Sequence, residues 1–273
     1  MQHTLAGVLA LERREMVSLV GAGGKTSAVR LLTAELSTGG ARVVVATTTA
    51  MFARELAAVG PLVMDADDAV LAARLSEALE GGRVAGAARA PGVDGKVVGL
   101  PPATVDGLWA DGLADYVLVE ADGSRGMPLK AFGPHEPQVP GATSTIVLVA
   151  GLDAIGRPLT PEYVHRADVL AAGLGLSLGA PVTLRAFVGA LREQVWRLRQ
   201  GWPATRVVAL LNKADGRDEE TLGGQVAQEL LTGGRAVHRQ PLAAGPQGPD
   251  AVIVASLRRE RFARVAAEAD DRR

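Results

Sequence analysis

No cysteine occurs in the chain, which excludes disulfides and thiolate metal ligation. Four histidines, His3, His135, His165 and His238, leave few imidazole ligands and disfavour a zinc enzyme. The net charge is −1 and the isoelectric point is near 6.4, without the basic excess that a nucleic-acid-binding surface concentrates. Arg258–Arg259–Glu260–Arg261 and Arg272–Arg273 read as solvated helix ends. Membrane spans need about 18 or more uninterrupted apolar residues, and no such run is present. A basic N-terminal segment leading into a long apolar one is also missing, so a cytoplasmic protein with neither membrane nor nucleic acid as partner is expected. Lysine is scarce: of 29 basic residues, only Lys25, Lys96, Lys130 and Lys213 are lysines. Where arginine serves almost everywhere, a lysine marks a position that wants a compact ammonium.

Valine-rich apolar runs, by contrast, recur with helical stretches between them, the alternation of parallel strands joined by crossover helices. Strands are expected near 16–20, 42–47, 116–120, 145–150, 206–211 and 251–255. Helices are expected near 25–38, 67–80, 103–113, 162–173, 183–199, 217–231 and 257–269. Continuous runs such as Val43–Val44–Val45 suit strands buried on both faces. With 273 residues, 48% of them hydrophobic, the chain can bury one large core. The expected fold class is α/β, a mostly parallel sheet flanked by helices in a three-layer sandwich. A single domain over 1–273 is expected, with a peripheral β-hairpin insertion at 81–102 around Pro91–Gly92–Val93–Asp94–Gly95. Gln240–Pro249 reads as a loop before the last strand.

The most informative stretch is Val20–Gly21–Ala22–Gly23–Gly24–Lys25–Thr26–Ser27, a buried strand, a glycine turn and a helix start. Glycines let backbone N–H groups curl around phosphate oxygens, and the helix N-terminus adds partial positive charge. In that arrangement Lys25 reaches the β- and γ-phosphates and Thr26 ligates Mg²⁺. The full phosphate-loop pattern has a glycine six residues before the lysine, where Leu19 stands here, so the cradle is a shortened G-x-x-G-K-T. Downstream, Asn212–Lys213–Ala214–Asp215 follows an apolar strand in the N-K-x-D pattern that reads guanine. The carboxylate accepts from N1–H and the exocyclic amine, the lysine stem covers the purine face and the asparagine braces the loop. Ser256, after the last strand, falls where guanine-binding domains place a further base contact.

A third signature is Val117–Leu118–Val119–Glu120–Ala121–Asp122–Gly123–Ser124–Arg125–Gly126, a strand ending in acids and a glycine turn. Ligands of open α/β sheets bind beyond the carboxyl ends of the strands, which directs Glu120 and Asp122 at phosphate and metal. One acid holds the Mg²⁺ shell and the other orients the attacking water, in either assignment. Arg125 is a candidate charge stabiliser. Thr47–Thr48–Thr49 closes the second strand, and Thr48 is a candidate hydroxyl for the metal or γ-phosphate. The segment Met127–Pro140, with Lys130, His135 and Glu136, reads as a substrate or partner surface, and His165–Arg166 as part of a helix.

Together with Pro128–Leu129–Lys130, His135–Glu136–Pro137 and His165–Arg166, these motifs resemble the YqeC family over about residues 15–257. The resemblance implies a phosphate-loop NTPase fold and an accessory role in maturing a selenium-dependent molybdenum hydroxylase or its cofactor. Glu120–Ala121–Asp122–Gly123 followed by N-K-x-D also resembles the metal-insertion GTPases that serve hydrogenase and urease. That likeness implies GTP with Mg²⁺, nucleotide-dependent homodimerisation and cargo release. The Cys/His metal-binding motif of those GTPases is missing here, so a cofactor or apo-enzyme is the expected cargo. The short loop spacing is similar to Mur-type ATP-dependent ligases. It keeps open an ATP-dependent ligase or kinase acting on a small acid or cofactor, beside a carrier that binds nucleotide without hydrolysis.

Overall fold

The computed structural model describes residues 4–232 and 248–265. His3, His238, positions 240–247 of the expected loop and Arg272–Arg273 lie outside the described residues. The chain forms two units, and both are α/β with mainly parallel strands.

Unit one comprises Met1–Val20, Lys25–Gly123 and Gly133–Val147. In chain order it contains α1 (Leu5–Leu9), β1 (Glu15–Gly21, its last residue in unit two), α2 (Lys25–Thr38), β2 (Val43–Thr47), β3 (Met51–Phe52), α3 (Ala53–Ala57) and β4 (Leu62–Met64). These are followed by α4 (Asp68–Gly81), β5 (Val84–Ala88), β6 (Ala90–Pro91), β7 (Lys96–Val98), α5 (Pro102–Ala110) and β8 (Tyr116–Glu120). Strands β1-β8-β2-β5-β4 lie side by side in that order, all parallel. Every residue of β1 and β2 is buried, which is why their sequences are mostly apolar rather than alternating, with Glu15, Ser18 and Thr47 as buried polar members. The register sets Glu120 opposite Leu19 on one side and Thr47 on the other. The acid therefore stands at the carboxyl end of a central strand.

Local signals explain the helix starts. Asp67 caps α4 by accepting from the N–H groups of Ala69 and Val70, and Pro102 begins α5, where a missing N–H costs nothing. The short α1 gave no periodic signal. It is fixed from outside, because the Glu35 carboxylate on α2 accepts from the Leu5 and Ala6 N–H groups, both at 2.8 Å.

The segment expected as a hairpin insertion divides. β6 and β7 are antiparallel and joined by a tight turn with Asp94 and Gly95 at φ of 53° and 70°, the left-handed pair a two-residue hairpin turn requires. β5 instead runs parallel between β2 and β4.

Unit two comprises Gly21–Gly24, Ser124–Phe132 and Leu148–Arg273. It contains β9 (Leu129–Lys130), the end of β10 (Thr145–Gly151), a 3₁₀ turn at Leu152–Ala154, β11 (Val164–His165), α6 (Ala167–Leu174), α7 (Leu184–Gly201) and β12 (Arg206–Asn212). Then come α8 (Arg217–Thr232), β13 (Ala251–Ser256), a 3₁₀ turn at Leu257–Arg259 and β14 (Arg261–Val265). The strand order is β14-β13-β12-β10, with β12 and β13 parallel.

Two helix expectations are corrected in this unit. Of the last helix, expected at 257–269, positions 266–269 lie outside the described residues; over 257–265 the chain is instead a 3₁₀ turn that Glu260 ends at φ 51°, followed by β14 antiparallel to β13. Backbone pairing with a buried strand outweighs the weak helical preference of a short charged segment. Arg261 and Arg264 then protect an exposed sheet edge. His165 lies on β11, paired in parallel with β9, and the helix starts only at Ala167. Among the described residues no helix is long and apolar enough to cross a membrane.

Candidate functional site

In unit one, β8 ends in Glu120 and the segment just after it carries Asp122, while the first turn of α2 delivers Lys25 and Thr26. The Lys25 ammonium lies 3.0 Å from Asp122 Oδ1 and 3.9 Å from Glu120 Oε1. The Thr26 hydroxyl donates to Glu120 Oε2 at 3.1 Å. Asp122 is wholly buried and Lys25 only 3% exposed, so the pair attracts in a medium where charges are weakly screened. Burial raises the Glu120 pKa above the ordinary carboxylate value, against the lowering effects of Lys25 and the Thr26 hydroxyl, and Asp122 and Glu55 raise it further. A carboxylate held this way binds protons readily and gains from a cation.

Thr47 donates to the Glu120 carbonyl at 3.2 Å and to Thr49 O at 2.9 Å. Thr48, the residue expected near metal or phosphate, donates to the Gln138 carbonyl at 2.7 Å. Ser27 is exposed on the first turn of α2. Among the described residues no three His, Cys, Asp or Glu side chains cluster as a metal site. The oxygens of Thr26, Glu120 and Asp122 are nevertheless hard donors of the kind Mg²⁺ takes, since that ion is usually held by one or two carboxylates together with water and substrate phosphates.

Unit two holds the glycine turn and the guanine-type motif. Gly21, Gly23 and Gly24 have φ of 91°, 80° and 144°, conformations that disfavour any side chain. The turn is already bonded to its surroundings: Ala22 N–H donates to Val149 O at 2.8 Å and Gly23 N–H to Met127 O at 2.9 Å. Asn212, buried at the end of β12, joins two segments, because its amide donates to Gly23 O at 2.8 Å while its oxygen accepts from Leu257 N–H at 3.1 Å. Lys213, at φ 70°, places its ammonium 2.7 Å from Asp153 Oδ2. Asp215 accepts from the buried Ser256 hydroxyl through one carboxylate oxygen and lies 3.4 Å from the Arg258 guanidinium through the other. Arg261 donates to the Asp215 carbonyl at 3.2 Å.

Asn212 thus bridges to the glycine turn, and Ser256 meets Asp215. The partners Asp153, Arg258 and Arg261 are those the sequence did not reveal as part of this group. Arg258 and Arg261 carry opposite charge to Asp215, and only the turn after β13 brings them to it. Arg125, at φ 52°, is exposed on a turn closed by Met127 N–H on Ser124 O. Lys130, expected on a substrate or partner surface, is fully buried with its ammonium 5.5 Å from the Phe132 ring centre. A long apolar stem lets lysine fill a core position once its head group has partners.

The profile of the YqeC protein family matches residues 17–168. The uncharacterized protein YqeC of Escherichia coli (strain K12) is 37% identical over 185 residues, 67% of this chain and 70% of that protein. Among solved structures, the signal recognition particle 54 kDa protein of Aeropyrum pernix K1, in complex with GDP, aligns with 94% of this chain at 15% identity and a TM-score of 0.35. The chain spans 45% of the length of that structure.

Proposed function

This chain belongs to the YqeC family, and we propose that its strand-end acids and glycine turn serve a Mg²⁺-dependent, GTP-preferring nucleotide-binding protein. We further propose that it assists maturation of a molybdenum hydroxylase, with selenium and the hydroxylase or its cofactor as the context. The observation that carries the nucleotide reading is Lys25 at the head of α2, held against Asp122 and Glu120 with Thr26 bonded to Glu120. A buried ammonium beside paired carboxylates and a hydroxyl is what a metal-bound triphosphate needs: a cation for phosphate oxygens and hard oxygens for the metal.

Within this reading Thr26 and Glu120 hold Mg²⁺, which neutralises phosphate charge when bound. Asp122 keeps Lys25 in place until phosphate competes for its ammonium. Asp215, with Asn212, Lys213 and Ser256, receives the base. GTP turnover would be slow and raised by a partner, and a nucleotide-dependent homodimer in the cytoplasm fits the same reading.

Calorimetric titration with GTP and ATP, with and without Mg²⁺, tests it. No Mg²⁺-dependent affinity for either nucleotide removes the proposal. Asp215→Asn is expected to lower the GTP-over-ATP preference by about 1–3 kcal/mol, the effect of leaving polar groups on the base unmatched. An unchanged ratio removes base reading from Asp215. Product formation from a panel of small acids, in place of bare phosphate release, would favour the ligase alternative.

The Glu120 environment adds a pH dependence. Its raised pKa means that acidification neutralises it at a higher pH than an ordinary glutamate, and the neutral form attracts a cation poorly. Mg²⁺-dependent affinity is therefore expected to fall by about tenfold as pH drops through that raised range. In Glu120→Gln the profile should be flat over the same window. A wild-type profile equally flat there would remove Glu120 from the metal.

A further inference from the structure

Of the four lysines, Lys25 faces carboxylates, Lys213 pairs with Asp153 and Lys130 is buried in unit two. Lys96 has no acidic partner among the described residues. It begins β7, half-buried, with its ammonium 5.3 Å from the centre of the Phe52 ring. The guanidinium of Arg54 lies 4.5 Å from the same ring, also without a carboxylate partner among the described residues. The one ring thus draws two cations, and an anion near them would be attracted by both.

The same lysine lines a cleft of about 320 Å³ within unit one, walled by Thr48–Ala50 after β2 and by Gly92–Val93 and Lys96–Gly99 of the hairpin. That volume is at the lower end of small-molecule sites. Apolar surface predominates in the walls, and Val93 and Val98 stand 78% and 48% exposed. The cleft's floor depends on a close approach: a Cβ on Gly99 would come within 2.4 Å of the Thr48 carbonyl carbon and the Thr49 nitrogen. Only glycine lets the hairpin close on the Thr48–Thr49 turn. That turn is tied to β8, because Thr48 N–H donates to the Glu120 carbonyl at 3.2 Å. The cleft therefore adjoins the strand end that carries the candidate metal acid.

We propose that this cleft is a second ligand site, for a small molecule with an apolar body and one carboxylate or phosphate, with Lys96 as its anion contact. The valines meet the apolar body and the ammonium meets the charge. A role as second substrate, next to the Glu120 strand end, rests on the nucleotide reading above; binding itself does not.

The test uses the full chain, labelled with ¹⁵N, titrated with 2-naphthoate, 2-naphthyl phosphate and neutral 2-naphthamide. At least one anion is expected to bind about tenfold more tightly than the amide, the effect of one charge-assisted contact. Amide shifts should concentrate at 48–50 and 92–99, and the better anion of the two identifies carboxylate or phosphate. Lys96→Met should bring anion affinity down to that of the amide, Lys96→Arg should restore part of it, and Mg²⁺–GTP affinity should be unchanged in both. Equal binding of anions and amide, no binding of either anion at millimolar concentration, shifts confined elsewhere, or unchanged anion affinity in Lys96→Met overturns the proposal. If the chain fails to bind nucleotide while the naphthyl anions behave as expected, the nucleotide reading fails and this site stands.

Discussion

Lys25→Ala is expected to weaken Mg²⁺–nucleotide binding by about 100-fold and to lower thermal stability in the same protein. The two effects have separate origins. With nucleotide bound, the variant loses charge-assisted contacts to phosphate, each worth about 1.5–3 kcal/mol. Without nucleotide, it strips the wholly buried Asp122 of the ammonium 3.0 Å away. Removing one partner of a buried ion pair costs about 3–5 kcal/mol, because the remaining charge has been taken out of water. Calorimetric affinity, measured well below the midpoint of a thermal melt, checks the first effect, and the melt itself checks the second. Unchanged affinity removes Lys25 from the nucleotide. An unchanged melting temperature shows that Asp122 does not depend on Lys25. The double variant Lys25→Met with Asp122→Asn separates the terms: much of the lost stability should return, since neither charge is then stranded, while nucleotide affinity should stay low.

Gly23→Ala should be the most destabilising small substitution in the glycine turn. A Cβ there would lie 2.3 Å from the Gly151 nitrogen, 2.7 Å from its Cα and 2.8 Å from the Pro128 carbonyl oxygen. All three are backbone atoms, and Gly151 and Pro128 are themselves tied by a 2.8 Å hydrogen bond, so no side chain can swing aside to make room. Gly23 also has φ 80°. Overpacking against a fixed backbone together with left-handed strain is expected to cost about 3–5 kcal/mol. Gly126→Ala is the control: φ is 74°, yet nothing lies within 4 Å of the added carbon. It should cost only the conformational term, about 1–2 kcal/mol. Urea denaturation of both variants gives the difference. Equal losses would mean that the turn relaxes away from Gly151 and that its observed shape is not imposed by packing.

The elements legible in the sequence are those whose signal is local and strong. β1, β2 and β8 are mostly apolar because both of their faces are largely buried, and α2 begins where a glycine turn meets a helix-forming segment. Elements fixed by contacts far along the chain were not legible: α1 depends on Glu35, β5 on its neighbours β2 and β4, and β14 on pairing with β13. Site legibility divides the same way. Strand-end acids, the turn glycines and the N-K-x-D string stand out because each needs particular residue types within a few positions. The Asp153 partner of Lys213, the arginines on Asp215 and the burial of Lys130 left no comparable pattern, since any acid, arginine or lysine elsewhere in the chain would have read identically.

By itself, then, the sequence determined the α/β class, the strand–turn–helix at Gly21–Ser27 and the acids Glu120 and Asp122 at the end of a strand. These follow from backbone conformation and side-chain burial, which neighbouring residues set. Tertiary structure alone decided which charges meet: Lys25 with Asp122, Lys213 with Asp153, Asp215 with Arg258, and Lys96 left lining a cleft with no acid paired to it among the described residues. A charge finds its partner by distance in space, and that distance exists only once strands far apart in sequence have been set side by side.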